Sequence, residues 1–399
     1  MTNAGLTSPA DTSLMINIRH FLLVVLIFMP GVSTSLMSLV PLAAFVLLTI
    51  VHGNIQRQML FLLVGLLLLT IVVMFLRNTT EIALVSVRDL TEAIRLLSLL
   101  TTVAVVLGVT DVQFVRRLLM ALLLADLIVS LSQLQVLPSA IGGVFGHFYQ
   151  SSFHLENALG ISKRALGLYP DPTTHGLAMG LLALFFLGYT VNSKDTHRLI
   201  ASLTALSLVA MSQSQTAFIS TVLGIVTLFF FKVITQPTLR VTILLGALFG
   251  GALALLLRYA EELSYLFLLF KVGLNRNSFQ RRIQKREDSL EIMHDEPLGV
   301  VLGWGKDYLG STSAALDNEY LFVYLVYGLP GLFLFLAILV ALLIHGILTK
   351  SHVLLASTVL GVVAAYPASF FTSFKTFTLY CLVVSGTIAV NKLPAILKR

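Results

Sequence analysis

Charged side chains are scarce in this sequence: they make up 11% of its 399 residues, whereas hydrophobic residues make up 57%. Soluble domains carry about 25% charged residues, so this chain lacks the charge to cover a surface that faces water. The shortage excludes a soluble enzyme, a nucleic-acid-binding domain and a disordered scaffold. The pI of about 9.5 does not indicate nucleic-acid binding, because membrane proteins collect Lys and Arg at their cytoplasmic edges.

Cysteine is almost absent as well. Cys381 is the single cysteine, and one cysteine excludes both a disulfide framework and a metal cluster held by cysteine thiolates. The histidines, among them His147, His154 and His175, show no spacing typical of metal ligands. We therefore expect no metal and no cofactor.

Long apolar runs are what the sequence has in abundance, and the mean hydropathy is +0.93. A membrane-spanning helix needs about 20 apolar residues, and roughly 240 residues lie in such runs, which allows about twelve spans. The predicted fold is an all-α polytopic membrane protein. We interpret the first run as a retained helix and not as a signal peptide, because no clear cleavage site follows it. The predicted spans are 18–31, 33–51, 58–76, 93–110, 116–137, 173–191, 198–213, 215–233, 239–258, 318–346, 352–367 and 371–390.

Two long polar segments divide the chain, and the larger one precedes the last three spans. The predicted divisions are 1–137 (N-terminal transmembrane helices), 138–172 (first polar loop), 173–258 (central transmembrane helices), 259–317 (large polar loop with an amphipathic helix) and 318–399 (C-terminal transmembrane helices).

Lys and Arg in the short connections set the predicted orientation, because cytoplasmic connections are enriched in them. With a cytoplasmic N-terminus, the inside connections and the C-terminal tail hold eleven of these residues against two acidic ones. Both termini are thus predicted to be cytoplasmic and both polar loops to lie outside. The inside cations are Arg57, Arg116, Arg117, Lys194, Arg198, Lys232, Arg240, Lys350, Lys392, Lys398 and Arg399.

Ionisable residues within spans mark ion or substrate paths, and Asp126 is the clearest one. We interpret it as a residue that makes an interhelical hydrogen bond, in preference to a proton relay. A coupled transporter would show several such residues and two halves that mirror each other. The spans and loops of this sequence do not show that symmetry.

The first outer loop ends in a candidate anion site. Lys163 and Arg164 precede a turn, and Asp171-Pro172 then opens a helix, because Asp suits the N-cap and Pro the first helical position. Free N–H groups at the helix start would face the same surface as Arg164, an arrangement that binds anions. Contact of both cations with lipid head groups explains the spacing equally well.

The large loop contains an amphipathic helix, predicted from about residue 278 to residue 294. A stretch of six residues in this helix contains four cations. Because guanidinium groups bind phosphate oxygens in bidentate fashion, the cluster suits a diphosphate. A basic helix on anionic lipid explains the composition equally well, but not the position of the cluster on the outer side. The four cations are Arg281, Arg282, Lys285 and Arg286.

A glycine-rich stretch and a carboxylate pair follow. The glycines do not have the spacing of a phosphate-binding P-loop, and we expect them to allow close packing of the loop against the membrane domain. Asp317 and Glu319 flank Asn318 at the start of a long apolar helix. Such carboxylates are usually helix caps, and they also suit the role of a general base. The glycines are Gly299, Gly303, Gly305 and Gly310.

The order of these motifs over residues 160–335 resembles the signature of the O-antigen ligase and O-antigen polymerase superfamily. The first 150 residues resemble that family only in hydropathy, and Gln215 stands where many members have Arg. The matching elements are Arg164, Gly167 and Pro172, Ser212–Ala217, Arg282, Pro297-Leu298-Gly299, Asp317-Asn318-Glu319-Tyr320-Leu321 and Gly328-Leu329-Pro330-Gly331-Leu332.

The resemblance implies a fold similar to that of type C glycosyltransferases, with one large periplasmic loop before the last three helices. It implies glycosyl transfer from undecaprenyl-diphosphate-linked sugar on the periplasmic face of the bacterial inner membrane. For a polymerase, the lipid-linked glycan is both donor and acceptor, and the other partners are membrane lipid and a chain-length regulator protein. The bond to the diphosphate supplies the energy, which agrees with the lack of a nucleotide motif.

The resemblance also assigns roles to residues. Arg164 and Arg282 match two periplasmic arginines thought to bind the lipid diphosphate, and the neighbouring Arg281, Arg286 and Lys285 extend that cluster. These charges would stabilise the departing diphosphate without a metal.

Ligases typically have His-Asn at the start of the following helix, and here the His position is Asp317, which favours the polymerase branch. We expect Asp317, with Glu319 as the next candidate, to accept the proton of the attacking sugar hydroxyl. Asn318 and Tyr320 are assigned supporting roles. The alternatives are a ligase that transfers finished glycan to lipid A core, or a related protein-glycosylating enzyme, and a flippase or transporter of lipid-linked sugar.

Overall fold

Helices account for all regular secondary structure in the described part of the chain, so the all-α prediction is confirmed there. The computed structural model describes residues 9–28, 57–79, 87–107, 111–149, 164–190, 196–235, 297–306 and 318–396, with residues 258, 280, 283, 284, 286–288 and 291. The helices are α1 (Pro9–Phe28), α2 (Arg57–Thr79), α3 (Val87–Leu107), α4 (Val112–Gln133), α5 (Ser139–Tyr149), α6 (Pro172–Thr190), α7 (Thr196–Ser212), α8 (Gln215–Thr235), α9 (Pro297–Leu302), α10 (Glu319–Leu348), α11 (His352–Ala365) and α12 (Phe374–Ile396).

Ten of the twelve predicted spans coincide with a helix, while 33–51 and 239–258 lie outside the described residues apart from Arg258. The short helices α5 and α9 lie in the two polar loops. Among the described helices, α8 and α10 are long and apolar enough to cross a membrane. Twelve spans and a cytoplasmic N-terminus stay predictions.

The outer surface of the bundle is apolar, and its interior contains polar groups. Phe75 of α2, Phe230 of α8 and Phe333 of α10 are among the exposed large apolar side chains, whereas Asp126 and His175 are completely buried. A surface of this kind is typical of contact with lipid. Buried ionisable groups in such a bundle need partners inside the protein.

The central helix is α6, in which every residue from 174 to 188 is buried. It packs against α7, α8, α11 and α12. Glycines allow this contact: a Cβ on Gly180 would overlap Thr221 of α8, and a Cβ on Gly188 would overlap Val353 of α11. Small residues let membrane helices approach closely in this way.

The predicted spans alternate in direction, which assigns each helix end to one side of the membrane. Helix ends that are assigned to the same side contact each other. The second residue of α12, Lys375, reaches the carbonyl of Leu168, which precedes α6. Arg77, near the end of α2, donates from Nε to the carbonyl of Leu302 in α9 at 3.1 Å.

α10 consists of two helical pieces joined at a kink. Gly328 has φ 70° and ψ −172°, a conformation that favours glycine. Pro330 has no N–H to donate to the carbonyl four residues earlier, that of Val326. Arg77 replaces that donor, since its Nη2 lies 2.7 Å from the Val326 oxygen.

The large loop packs against α10 at this kink. The N–H of Trp304 donates to the carbonyl of Leu325 at 2.7 Å. Gly303 has φ 73°, and a Cβ on it would lie 2.5 Å from the Val326 oxygen and 2.6 Å from the Gly328 nitrogen. The prediction that glycines allow close packing of this loop against the membrane domain is thus confirmed for Gly303 and for Gly305, where a Cβ would overlap Arg77 and Asp89. Gly299 instead makes room for Trp304 of the same loop, and Gly310 lies outside the described residues.

Candidate functional site

The chain that follows Arg164 is fixed by Gln133 at the end of α4. Gln133 Oε1 accepts hydrogen bonds from the N–H groups of Leu166 (3.0 Å) and Gly167 (2.9 Å). Its Nε2 donates to the carbonyl of Gly167 at 3.3 Å. Gly167 has φ 54°, and a Cβ there would overlap the carboxylate of Asp126. Only glycine therefore fits this position.

Asp126 and His175 hold the same chain from the interior. Asp126 Oδ1 accepts from the N–H of Leu168 at 2.8 Å, and Oδ2 lies 2.7 Å from His175 Nε2. The other ring nitrogen of His175 lies 3.0 Å from the carbonyl oxygen of Ala165. Asp126 in α4 and His175 in α6 thus form the interhelical hydrogen bond that the sequence predicted.

Lys375 supplies the third support. Its Nζ donates to the carbonyl of Leu168 at 2.9 Å and lies 4.3 Å from the ring centroid of Tyr149 and 5.2 Å from that of Tyr169. A cation over aromatic faces is stabilised by the ring quadrupole. The amine is therefore held between the two rings and the chain.

These contacts satisfy every backbone polar group of residues 165–168, which we call the anchored segment. The N–H of Ala165 donates to the carbonyl of Met211 at 3.0 Å, and the carbonyl of Leu166 accepts from the N–H of Tyr169 at 3.0 Å. With the bonds described above, all four N–H groups and all four carbonyls have a partner. Buried backbone groups need such partners, and a segment with all of them is held in one conformation.

Arg164 directly precedes the anchored segment. Its Nε donates to the carbonyl of Ser212, at the end of α7, at 2.9 Å. The residues that resemble the family's Arg164 motif and its Ser212–Ala217 motif are therefore in contact, although 48 positions separate Arg164 from Ser212.

The start of α6 is not an open anion site. Asp171 caps it, as predicted, by accepting from the N–H groups of Thr173 (2.8 Å) and Thr174 (2.9 Å). The expectation that free N–H groups there would bind an anion together with Arg164 is wrong, because the carboxylate of Asp171 already occupies those donors.

At the start of α10, Asn318 is the N-cap and accepts from the N–H of Leu321 at 3.0 Å. Glu319 is completely buried. One of its carboxylate oxygens accepts from the N–H groups of Phe370 (3.1 Å) and Phe371 (3.0 Å), and the other accepts from the N–H of Thr372. These bonds favour a structural role for Glu319 over that of a base.

Residues 366–373 connect α11 to α12, and we call them the α11–α12 turn. Arg286 lies on it: its Nη1 donates to the Tyr366 hydroxyl at 2.8 Å, and its guanidinium lies 4.8 Å from the centroid of the same ring. The hydroxyl of Tyr320 donates to the carbonyl of Val362, in α11, at 2.8 Å. Arg281, Arg282, Lys285 and Asp317 lie outside the described residues.

A buried ionic network anchors the α9 region to α3. Asp89 accepts from the N–H of Lys306 at 2.7 Å, and Glu92 Oε2 lies 2.7 Å from Lys306 Nζ. Glu92 Oε1 accepts from Arg95 and from the hydroxyl of Tyr327. Burial alone would raise the pKa of Glu92, but the charges of Arg95 and Lys306 outweigh it and hold that pKa below its ordinary value.

Arg95 joins this network to the α11–α12 turn, because its Nη1 donates to the carbonyl of Thr372 at 2.7 Å. Thr372 in turn donates its N–H to Glu319. The turn is therefore bound on one side by α3 and on the other by the start of α10.

Sequence reasoning missed several of these residues. In the sequence, His175 is one of several histidines without metal spacing, and Lys375 lies within the predicted span 371–390. The contacts of Arg77, Asp89 and Glu92 with the α9 region are not visible in the sequence. Among the described residues, no group of three His, Cys, Asp or Glu side chains lies together as metal ligands would.

No curated protein and no solved structure matches the chain. Residues 200–336 match the family model described as O-antigen ligase. The matched part includes α8, α9, the start of α10 and the positions of Arg282 and Asp317, whereas Arg164 precedes it. The members of that family are membrane-associated enzymes of the glycosyltransferase type. The resemblance is thus confirmed over residues 200–336, which carry the sequence pattern of the O-antigen ligase and polymerase superfamily.

Proposed function

We propose that this protein polymerises undecaprenyl-diphosphate-linked oligosaccharide repeat units into O-antigen or a related polysaccharide, on the periplasmic face of the inner membrane. One observation carries the proposal: three candidate elements meet at the α11–α12 turn and the start of α12. Arg286 contacts Tyr366, Glu319 accepts from the N–H groups of residues 370–372, and Lys375 contacts the anchored segment that follows Arg164.

In this proposal the arginines bind the donor. When the glycosidic bond to the lipid diphosphate breaks, negative charge develops on the departing oxygen. Arg164, Arg282 and Arg286, assisted by Arg281 and Lys285, stabilise that charge. Guanidinium groups suit this task because they bind two phosphate oxygens at once. They supply the positive charge that a metal ion supplies in other enzymes.

The acceptor sugar reacts at the start of α10. Asp317 takes the proton from the attacking hydroxyl, and Asn318, the N-cap, fixes the beginning of the helix beside it. Glu319 holds the α11–α12 turn against α10 through three backbone N–H groups. The new glycosidic bond forms as the diphosphate leaves, and the proton remains on Asp317 until product release.

A ligase is the second candidate, because the matching family model is described as O-antigen ligase. The chemistry at the donor would be the same, and the acceptor would be lipid A core. Asp317 at the position of the ligase His favours the polymerase. The same family match favours glycosyl transfer over a flippase.

Deletion of the gene tests the proposal. A polymerase mutant should carry single repeat units on lipid A core, visible as one band above the core on a gel, and a plasmid copy should restore the ladder. Loss of all attached glycan would identify a ligase instead. An unchanged ladder would overturn both.

A further inference from the structure

We infer that Asp126 and His175 are positioning residues for Arg164, acting through the backbone of the anchored segment and not on the substrate. This inference rests on the proposed function, since it gives Arg164 a donor to bind. Both side chains are completely buried, so neither can touch a lipid-linked sugar. Each bonds instead to the backbone of the anchored segment, His175 to Ala165 and Asp126 to Leu168.

The geometry fixes how many hydrogens the Asp126–His175 pair carries. The carbonyl of Ala165 only accepts, so His175 Nδ1 must carry the hydrogen of their 3.0 Å contact. The 2.7 Å contact between His175 Nε2 and Asp126 Oδ2 then needs one further hydrogen. It belongs to an imidazolium beside a carboxylate, or to a carboxylic acid beside a neutral imidazole. In both cases the pair holds the chain by hydrogen bonds that do not depend on the charge.

The effect on Arg164 follows from the covalent chain. The N–H of Ala165, bonded to Met211, belongs to the peptide that joins Arg164 to Ala165, and the carbonyl of Ala165, bonded to His175, belongs to the next peptide. The peptides on both sides of the Ala165 Cα are thus held, which fixes the direction of the chain at Arg164. The guanidinium is fixed a second time by its 2.9 Å bond from Nε to Ser212. A displacement of about 1 Å in a group that binds the reacting centre can reduce the rate about a hundredfold. Loss of the support from Asp126 should therefore act as a displacement of Arg164.

A proton relay is the competing role for a buried Asp–His pair, and one substitution separates the two. In Asp126→Asn, the amide oxygen still accepts from the N–H of Leu168, and the amide nitrogen donates to Nε2 of a neutral His175. The Nδ1–H of that His175 still donates to the carbonyl of Ala165. All the hydrogen bonds are kept, but no carboxylate remains to carry a proton. Asp126→Leu keeps the branched four-atom shape of the side chain, although it is larger, and loses all of them.

Hydrogen exchange in the purified full-length protein tests the anchoring directly. The amides of Leu166, Gly167 and Leu168 should exchange about tenfold faster in Asp126→Leu and at nearly the wild-type rate in Asp126→Asn. Asp111→Ala is the matched control, because Asp111 caps the opposite end of the same helix. Unchanged exchange in Asp126→Leu would overturn the inference. If Asp126→Leu does not accumulate, His175→Leu removes the bond to Ala165 and takes its place.

A double-mutant cycle tests the link to Arg164. Asp126→Leu should reduce polymerisation about a hundredfold, and Asp126→Asn should stay within about threefold of wild type. In an Arg164→Ala background, Asp126→Leu should cause no further loss in the residual activity or in binding of undecaprenyl diphosphate. Equal losses in both backgrounds, or an inactive Asp126→Asn, would overturn the positioning role. Normal activity of Arg164→Ala would overturn the donor site of the proposed function instead, and faster exchange in Asp126→Leu would still support the anchoring.

Discussion

Lys306 and Glu92 form an ion pair, with 2.7 Å between Nζ and Oε2, that joins the α9 region to the beginning of α3. Glu92 also accepts from Arg95, which reaches the α11–α12 turn at Thr372. Glu319 accepts from the N–H of the same Thr372. The chain on both sides of residues 307–317 is thus tied to one network.

Glu92→Gln should lower the stability of the protein at neutral pH by about 2–3 kcal/mol, because hydrogen bonds to a buried charge are lost. The folded pKa of Glu92 lies below its ordinary value of 4.5, so ionised Glu92 stabilises the fold above pH 4.5. That contribution disappears as the pH falls through the lower folded pKa. The difference in Tm between wild type and variant should accordingly be largest near pH 7 and shrink below pH 4.5. Glu287→Gln, at an exposed position, should show no such difference, and a gap that does not change with pH would contradict this account.

The two polar loops should be accessible from the periplasm. Single cysteines at positions 152 and 289, in a Cys381→Ser background, should react with a membrane-impermeant maleimide in intact cells. Cys381 itself is buried. A cysteine at position 350 serves as the cytoplasmic control and should react only after lysis. Labelling of position 289 only after lysis would contradict both the topology and the periplasmic site.

Arg282→Ala should abolish long polysaccharide chains, and Arg282→Lys should be strongly impaired because an ammonium retains the charge but not the bidentate geometry. Gln284→Ala, at an exposed position two residues away, is the control. Chain length is measured on gels and protein abundance in membranes. A normal ladder from Arg282→Ala at normal abundance would remove this residue from the donor site.

Asp317→Asn tests whether Asp317 is the base, because Asn has nearly the size and polarity of Asp but cannot accept the proton. If Asp317 is the base, polymerisation should fall about a hundredfold or more, while binding of undecaprenyl diphosphate is unchanged. Glu319→Gln should instead lower Tm, because its carboxylate accepts from three backbone N–H groups. A near-wild-type ladder from Asp317→Asn would exclude Asp317 as the base.

The sequence predicts the helices well because an apolar run is a local property. It also identifies Asp171 as a cap, since an N-cap bonds residues two and three positions away. Partners that are distant in the chain are not visible in this way. Asp126 is conspicuous in an apolar span, but His175 lies 49 positions further on, and no local pattern selects it from the other histidines.

Lys375 and Glu319 are two further residues whose partners cannot be predicted from the sequence. Lys375 lies in an apolar span and is 207 positions from Leu168, whose carbonyl it bonds. Glu319 at a helix start fits a cap and a base equally well in the sequence, and the three backbone donors that favour a structural role lie more than fifty positions later. A local pattern predicts whether a residue lies in a span or at a helix end, but the partner of its side chain depends on tertiary packing.

The kink in α10 has a consequence for the order in which the protein is assembled. Pro330 deprives the carbonyl of Val326 of its helical donor, and an unpaired carbonyl in a lipid environment costs several kcal/mol. The replacement donor, Arg77, precedes α10 in the chain, and so does Trp304, which donates to the carbonyl of Leu325 at the same kink. Ribosomal synthesis runs from the N-terminus, so both donors have already been made when α10 enters the membrane. The kinked helix can therefore bond its carbonyls as soon as it inserts, without waiting for any later part of the chain.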